Sequence, residues 1–405
     1  MSKVINLAGT LRAVSPYIRT EDEAIEVAKA LANEIRSGAS RRDRQRILPH
    51  HELERVAQSG ILGITVPAEY GGADISNPFL AEVLAILSEA DSSIGQIPQS
   101  HFQILEILRL AGTEEQKRYF FIRALAGDHF ANALAERNTE AAGLITTRLV
   151  PDGIGYRISG QKYYSTGALF ADWIAVFAQD DREHLVMAIV PRDTEGLTII
   201  DDWAGFGQRT TASGSVIIDN MYVSADSVIA HDRALEQPAT LGSLGQLLHA
   251  AVDLGIARAA FADMIDFVQT RSRGNRNLDI ESTSTDPLAI AKTGSIAVKI
   301  EAAAAMIERA GRKVDVAQVS PSASAASDAS LAVATAKILT TEAALEAANA
   351  LFELAGTSAT GEDFNLDRHW RNARTHTVHD PVRWKYHAIG DFHLNGRLPR
   401  PNGQF

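Results

Sequence analysis

Residues 367–381 read Asp367-Arg368-His369-Trp370-Arg371-Asn372-Ala373-Arg374-Thr375-His376-Thr377-Val378-His379-Asp380-Pro381. Three arginines, three histidines and two aspartates fall in fifteen residues, around one aromatic, in an otherwise Ala-rich half. So dense a polar cluster is hard to explain as packing and reads as one wall of a site. Imidazole donates or accepts near neutral pH, which suits proton transfer. His376 and His379 are three apart and share a face if the segment is helical. Arg371 and Arg374 suit a phosphate or carboxylate as bidentate partners, or an ion pair with Asp367 or another acid. Asp380 precedes Pro381, as an N-cap precedes a proline at the first helical position, and its other reading is a carboxylate base. A metal is not expected at His-x-x-His, since no Cys is available and no strong carboxylate set accompanies the pair.

Those residues need a scaffold, and the chain divides by texture. Up to about residue 131 the pattern is helical. Thr20 and Glu23 make a capping box before Ala24-Ile25-Glu26-Val27-Ala28, and Val66-Pro67-Ala68-Glu69-Tyr70-Gly71-Gly72 is a break. Helices resume over 78–90, over 99–110 and from Thr113. The next stretch is Gly-rich with short β-prone runs such as Trp173-Ile174-Ala175-Val176-Phe177-Ala178 and Leu185-Val186-Met187-Ala188-Ile189-Val190. Turn residues separate these runs at the spacing of a compact antiparallel barrel or sandwich.

Long helices return over 244–270, 288–314, 331–355 and 368–378, as in an antiparallel bundle. Polar stretches at 273–286 and 320–330 interrupt it, and the second is low-complexity and predicts a surface loop. The expected fold is α+β, mainly α: an N-terminal helical domain (1–131), a central antiparallel β-barrel (132–236) and a C-terminal helical bundle (237–405). A flat ligand would sit where the β domain meets the bundles.

Composition limits the partners. The 405 residues can bury more than one core, and the net charge of -11 argues against nucleic acid. No apolar run is long enough to span a bilayer, and the start lacks the apolar core of a signal peptide. The absence of Cys excludes disulfides, thiolate metal sites and a Cys nucleophile. A cytoplasmic protein with no membrane partner is expected.

Four segments in order carry a resemblance: Gly63-Ile64-Thr65-Val66-Pro67-Ala68-Glu69-Tyr70-Gly71-Gly72, Leu110-Ala111-Gly112-Thr113-Glu114-Glu115-Gln116-Lys117, Ile158-Ser159-Gly160-Gln161-Lys162 and Arg371-Asn372-Ala373-Arg374. Together they resemble the acyl-CoA dehydrogenase family across nearly the whole chain. The resemblance implies helices, a β-barrel and a four-helix bundle, with flavin between barrel and bundle, in a homotetramer.

The departures from that family are informative. Where its dehydrogenases often end in Tyr-Glu-Gly, whose Glu takes the α-proton of an acyl thioester, this chain has His379-Asp380-Pro381. Where FAD-binding members carry Gln-x-x-Gly-Gly and Arg-x-x-Phe-Gly, it has Glu353-Leu354-Ala355-Gly356-Thr357 and Arg271-Ser272-Arg273-Gly274. FMN is therefore expected, with FAD the alternative. The segment 371–381 and Asp91-Ser92-Ser93-Ile94-Gly95-Gln96-Ile97-Pro98-Gln99-Ser100-His101 are similar to the flavin-dependent monooxygenase branch, which includes dibenzothiophene monooxygenase and the sulfur-acquisition oxidoreductases.

That branch implies a two-component enzyme. A separate flavin reductase supplies reduced FMN, and a C4a-hydroperoxyflavin oxygenates a small or aromatic organosulfur compound. By the same resemblance His101, His376, His379, Asn132 and Thr166 are the expected catalytic residues. Asn132, Ala133, Tyr164, Ser165, Thr166 and Arg371 are expected to hold flavin, with Arg271 and Arg273 reaching its phosphate from a neighbouring subunit. The alternatives are an FAD-dependent acyl-CoA dehydrogenase with Asp380 as base, and a non-catalytic scaffold of the same fold.

Overall fold

Helix-start chemistry organises the first layer. The computed structural model describes residues 16–137, 139–140, 143–235, 238–274, 277 and 279–399. It begins with α1 (Glu21–Arg36), α2 (Ala39–Gln45), α3 (His50–Gln58), α4 (Asn77–Ala90), α5 (Ser92–Gln96), α6 (Gln99–Ala111) and α7 (Glu114–Leu125). Thr20 caps α1 by accepting from the Glu23 N–H, but Glu23 turns its carboxylate to the Arg19 N–H (2.7 Å) and does not close the expected box. The complete capping box is the one between Thr113 and Gln116 on α7.

The strands are β1 (Phe130–Ala133), β2 (Arg148–Asp152), β3 (Gly155–Lys162), β4 (Trp173–Gln179), β5 (Leu185–Pro191), β6 (Leu197–Ile200), β7 (Ser215–Ser224) and β8 (Val228–Ile229). They form one sheet in the order β6-β7-β3-β2-β4-β5-β8, with β1 also pairing with β4. The expected closed antiparallel barrel is corrected to an open, mixed sheet. Among the described residues the end strands β6 and β8 do not pair, and β1 runs parallel to β4. The two antiparallel halves join at a single register pair, Arg148 with Gln179. Period-2 alternation reveals which face a residue takes and is silent on which strands pair.

That alternation separates two cores. Phe130, Trp173, Ala175, Phe177, Met187 and Ile189 pack on Ile104, Leu105, Leu108, Phe120 and Phe121 of α6 and α7. Ala131, Ala133, Ile174, Val176, Ala188 and Val190 form the opposite face with Leu149, Ile158, Val216 and Ile218.

The last helices are α8 (Leu241–Thr270), α9 (Pro287–Val319), α10 (Ala323–Ala355), α11 (Asp367–Thr377) and α12 (Val382–Asn395). The expected loop over 320–330 is confined to 320–322: Ser322 caps α10, accepting from the Ala325 N–H, and Ser327, Ala329 and Ser330 are buried. Low complexity misled here because Ser is a strong N-cap and Ala the best helix former. Small residues also let helices approach closely. A Cβ on Gly255 of α8 would lie 2.5 Å from the Ala85 carbonyl oxygen of α4. No helix among the described residues is long and apolar enough to cross a membrane.

Candidate functional site

Most of the polar cluster on α11 holds the fold together. Arg368 and His369 both bind Asp263 of α8 (2.6 and 2.7 Å). Burial, with the Arg368 charge, pushes the His369 imidazole down to about 4. Arg371, expected at flavin, is instead committed to Asp43 of α2 and Asp367 (2.7 Å each), the Phe206 carbonyl and Asn365. Four acceptors leave its fork no free edge for a phosphate. Trp370 stacks on Phe206 at 6.1 Å between ring centres.

The chemistry gathers at the end of α11. His376 is fully buried, and its Nδ1 donates to Asp253 of α8 (2.5 Å). Asp253 also accepts from Lys337 Nζ (2.6 Å) and the Thr341 hydroxyl (3.1 Å) of α10. On its other side His376 Nε2 meets His249 Nδ1 of α8 at 3.1 Å. The His249 ring faces that of His379, with centres 4.2 Å apart and planes 34° from parallel. His379 lies in the turn after α11, so it does not share a helix face with His376. The two meet through His249.

His379 Nδ1 donates to Asp380 (2.8 Å), which also accepts from Gln246 Nε2 (2.7 Å). The expected cap role of Asp380 is corrected: Pro381 is the N-cap of α12, and the Asp380 side chain turns inward to α8.

Burial governs the charges in this cluster. It pushes His376 down, and it pushes His249 well below the ordinary imidazole range, an effect to which the neighbouring imidazoles add. Burial alone would raise Asp253, but Lys337 and His376 overcome it and hold the carboxyl at about 2. Asp380 is likewise kept well below the usual range: burial opposes this, and the His379 hydrogen bond outweighs it. Burial lowers Lys385 of α12 to about 8 despite the Asp380 charge.

Gln246, His249, Asp253 and Lys337 were missed by sequence reasoning. The available signal was three polar residues at i, i+3 and i+7 inside the apolar run of α8, which places them on one face. Ligand atoms of His249, His379 and Asp380 lie within 4.8 Å of one another. Two rings face to face, however, cannot aim in-plane lone pairs at one ion, so the cluster is a hydrogen-bonded one.

The sheet side supplies hydroxyls. Thr166 Oγ1 bonds Ser213 (2.7 Å), Ser213 bonds Thr211 (2.7 Å), and Thr211 donates to the Gln208 carbonyl (3.0 Å). The Gln208 N–H donates to Asn372 Oδ1 (2.7 Å) on α11, one turn before His376. Thr166 and His376 are thus anchored to the same helix. A Cβ on Gly207 would lie 2.0 Å from the Arg371 carbonyl oxygen, so only glycine fits there. Asn372→Ala strands the buried Gln208 N–H, and a loss of about 1–3 kcal/mol in denaturant unfolding is expected.

Tyr164 has a left-handed backbone (φ 57°), and its half-exposed ring meets Arg137 at 4.5 Å and Trp203 at 6.3 Å. Ala133 is buried beneath the sheet, and alternation puts Asn132 on the face of β1 that carries Phe130. Arg271 lies over the Phe364 ring at 5.0 Å, and Arg273 is exposed nearby.

His101 joins neither group. Its Nε2 donates to the Leu62 carbonyl (2.7 Å) and its Nδ1 accepts from the Phe130 N–H (3.2 Å). With both nitrogens on the backbone, it pins α6 to β1 and has nothing left for a ligand. Burial, with His129 nearby, pushes it down to about 3. Its native value lies below the unfolded value of 6.5, so the unfolded chain binds the proton first and stability falls as pH drops from 6.5 toward 3. Melting temperatures measured across that range should fall steadily in the wild type and less steeply in His101→Gln.

Several buried polar side-chain atoms have no protein partner. Ser165 Oγ, Arg209 Nε and Thr375 Oγ1 are such atoms. Ser165 bonds through its N–H to the Gly214 carbonyl, Arg209 lies in the same 203–214 loop, and Thr375 borders Gly207. Donors at this junction suit the carbonyl and nitrogen edge of a flavin ring. A separate pocket of about 250 Å³ is lined by His50, Leu62, Ile97, His129, Phe170 and Arg192, and none of the expected site residues borders it.

Residues 21–128, 131–221 and 247–384 match the models of the acyl-CoA dehydrogenase N-terminal, middle and C-terminal domains. The chain is 30% identical over 404 residues to dibenzothiophene monooxygenase of Rhodococcus qingshengii, spanning 96% of this chain and 97% of that one. It is 30% identical over 388 residues to the probable FMNH2-dependent monooxygenase SfnC of Pseudomonas putida, spanning 94% and 96%. The crystal structure of TdsC from Paenibacillus sp. A11-2 with FMN and indole superposes with a TM-score of 0.89 at 29% identity, over 94% of this chain and 99% of that chain.

Proposed function

This chain belongs to the acyl-CoA dehydrogenase family, and from that premise we propose that it is a two-component, flavin-dependent monooxygenase acting on a small or aromatic organosulfur compound. Reduced FMN supplies two electrons to O2, so that one oxygen atom goes to sulfur and the other leaves as water. Ser165, Arg209 and Thr375 would hold the ring edge, with Thr166 positioned by Ser213. The identity to dibenzothiophene monooxygenase and SfnC over almost the whole chain supports this reading.

The observation that carries it is the state of the His379-Asp380 pair. Asp380 is 5% exposed and locked between His379 and Gln246, a strongly ionised carboxylate unsuited to take a carbon-bound proton. The half-exposed His379 is the group presented outward. With Nδ1–H committed to Asp380, His379 can donate from Nε2 only as imidazolium and accept there only when neutral. The rest of the chain positions and shields: α8 and α10 exclude water around Asp253, and the 203–214 loop orients the hydroxyls.

A flavin reductase is the implied partner, since the reaction consumes FMN already reduced, and the cytoplasm is the place that fits such a supply. Exposed Trp384, Tyr386 and Leu394 on α12 and Leu288, Val298 and Val319 on α9 are apolar surface that a homotetramer would cover.

The test is to mix the protein anaerobically with reduced FMN and then admit oxygen. A transient absorbing in the near ultraviolet, followed by an oxygenated organosulfur product, is expected. Tightly bound FAD that an acyl-CoA bleaches would instead support the dehydrogenase reading with Asp380 as base.

A further inference from the structure

Three imidazoles meet at the end of α11, and the proposed chemistry uses only His379. The other two are ordered by what lies behind them. A carboxylate can only accept, so the Asp253 bond puts the proton of His376 on Nδ1. A neutral imidazole has one N–H, so His376 Nε2 is an acceptor. The 3.1 Å contact then puts the proton of His249 on Nδ1, and His249 Nε2 is bare.

Charge matching keeps both rings neutral. Among the described residues, the titratable groups that face this cluster are Asp253 and His249 on α8, Lys337 on α10, His376 on α11, His379 and Asp380 in the turn, and Lys385 on α12. Asp253 is already balanced by Lys337, and both are fully buried. A proton added to His376 would put a second positive charge on a carboxylate that Lys337 already balances, and one added to His249 would sit fully buried against the two other imidazoles. A positive charge on His379 has Asp380 beside it at 2.8 Å.

We infer that Asp253, His376 and His249 are positioning residues. Together they fix His249 as a neutral Nδ1–H ring, stack its face on His379 and hold that ring in register. The inference rests on the monooxygenase reading for its functional consequence but not for its structural content. A buried carboxylate that orients an imidazole is an established device, here extended by one ring.

The structural content is read on full-length, flavin-free protein with ¹⁵N-labelled histidine. Long-range ¹H–¹⁵N spectra should assign His376 and His249 as neutral Nδ1–H tautomers from about pH 6 to about pH 8, the minority form of a free imidazole side chain. An Nε2–H tautomer at His249, or a charged ring there, would overturn the inference.

Two variants carry the functional arm. In His249→Asn the amide still donates to His376 but offers His379 no ring. Product formed per O2 consumed should fall about tenfold, with melting temperature little changed. A wild-type ratio would reduce His249 to packing and sink the inference. Asp253→Asn with Lys337→Met removes the charge pair together and strands no ion. The single His249 tautomer should be lost, and one retained unchanged would count against the assigned role of Asp253. A wild type that oxygenates no organosulfur compound would defeat the functional reading, while the tautomer assignment is decided separately on the flavin-free protein.

Discussion

Replacing His379 by alanine is expected to lower organosulfur oxygenation about 100-fold or more while hydrogen peroxide release rises, the size usual for loss of a positioned acid–base group. Two physical features support so large an effect. The ring is fixed from both sides, by Asp380 at 2.8 Å and by the His249 face at 4.2 Å, so its Nε2 is pre-aimed. Its side chain is also 54% exposed, so the loss is chemical and the fold should survive. The measurement is product and peroxide quantified in the same turnover mixture, with the melting temperature as control. An unchanged product-to-peroxide ratio would remove His379 from the chemistry. His376→Ala should behave differently, because it leaves Asp253 and His249 without their shared partner in a water-free interior. Its main consequence is lower stability.

The second large effect concerns Lys337. The ammonium and its partner Asp253 are both fully buried at 2.6 Å. Lys337→Met fills the volume but strands the carboxylate, and breaking a buried pair from one side costs about 3–5 kcal/mol. Against a typical total of about 5–15 kcal/mol, that is a large fraction of stability. The pH dependence identifies the cause. Asp253 has a folded value of about 2 and a reference value of 3.8, so its native form is favoured above 3.8 and that advantage is lost as pH falls through about 2. The Lys337→Met deficit should therefore be largest near neutral pH and shrink as pH falls through 3.8 toward about 2. A deficit constant with pH in denaturant unfolding would assign the effect to packing and not to charge.

Much of the architecture is legible along the chain. Helical periodicity, capping residues such as Thr113 with Gln116, and alternation in β4 and β5 are local properties, and local sequence sets them. The resemblance located the flavin family and pointed to His376 and His379 as a pair. Where the reading failed, the missing information was non-local. Closure of the sheet depends on which strands pair, and alternation does not encode that. The length of α10 depends on Ser322 acting as a cap, which composition alone disguised as a loop.

The site shows the same division more sharply. The sequence by itself determined that residues 367–381 hold a dense polar cluster and that no cysteine takes part, and its resemblance set His379-Asp380-Pro381 where the dehydrogenases often carry Tyr-Glu-Gly. Tertiary structure decided which of those groups are free. Arg371 is taken up by Asp43, 328 residues away in sequence, His369 by Asp263, and His101 by two backbone groups. It also brought His249, Asp253 and Lys337 to the imidazoles, residues that look ordinary on their own helices. The physical reason is that a side chain's type states which bonds it can make. Only the packing of helices states which partners reach it, which are shut off from water, and hence which charge each group carries.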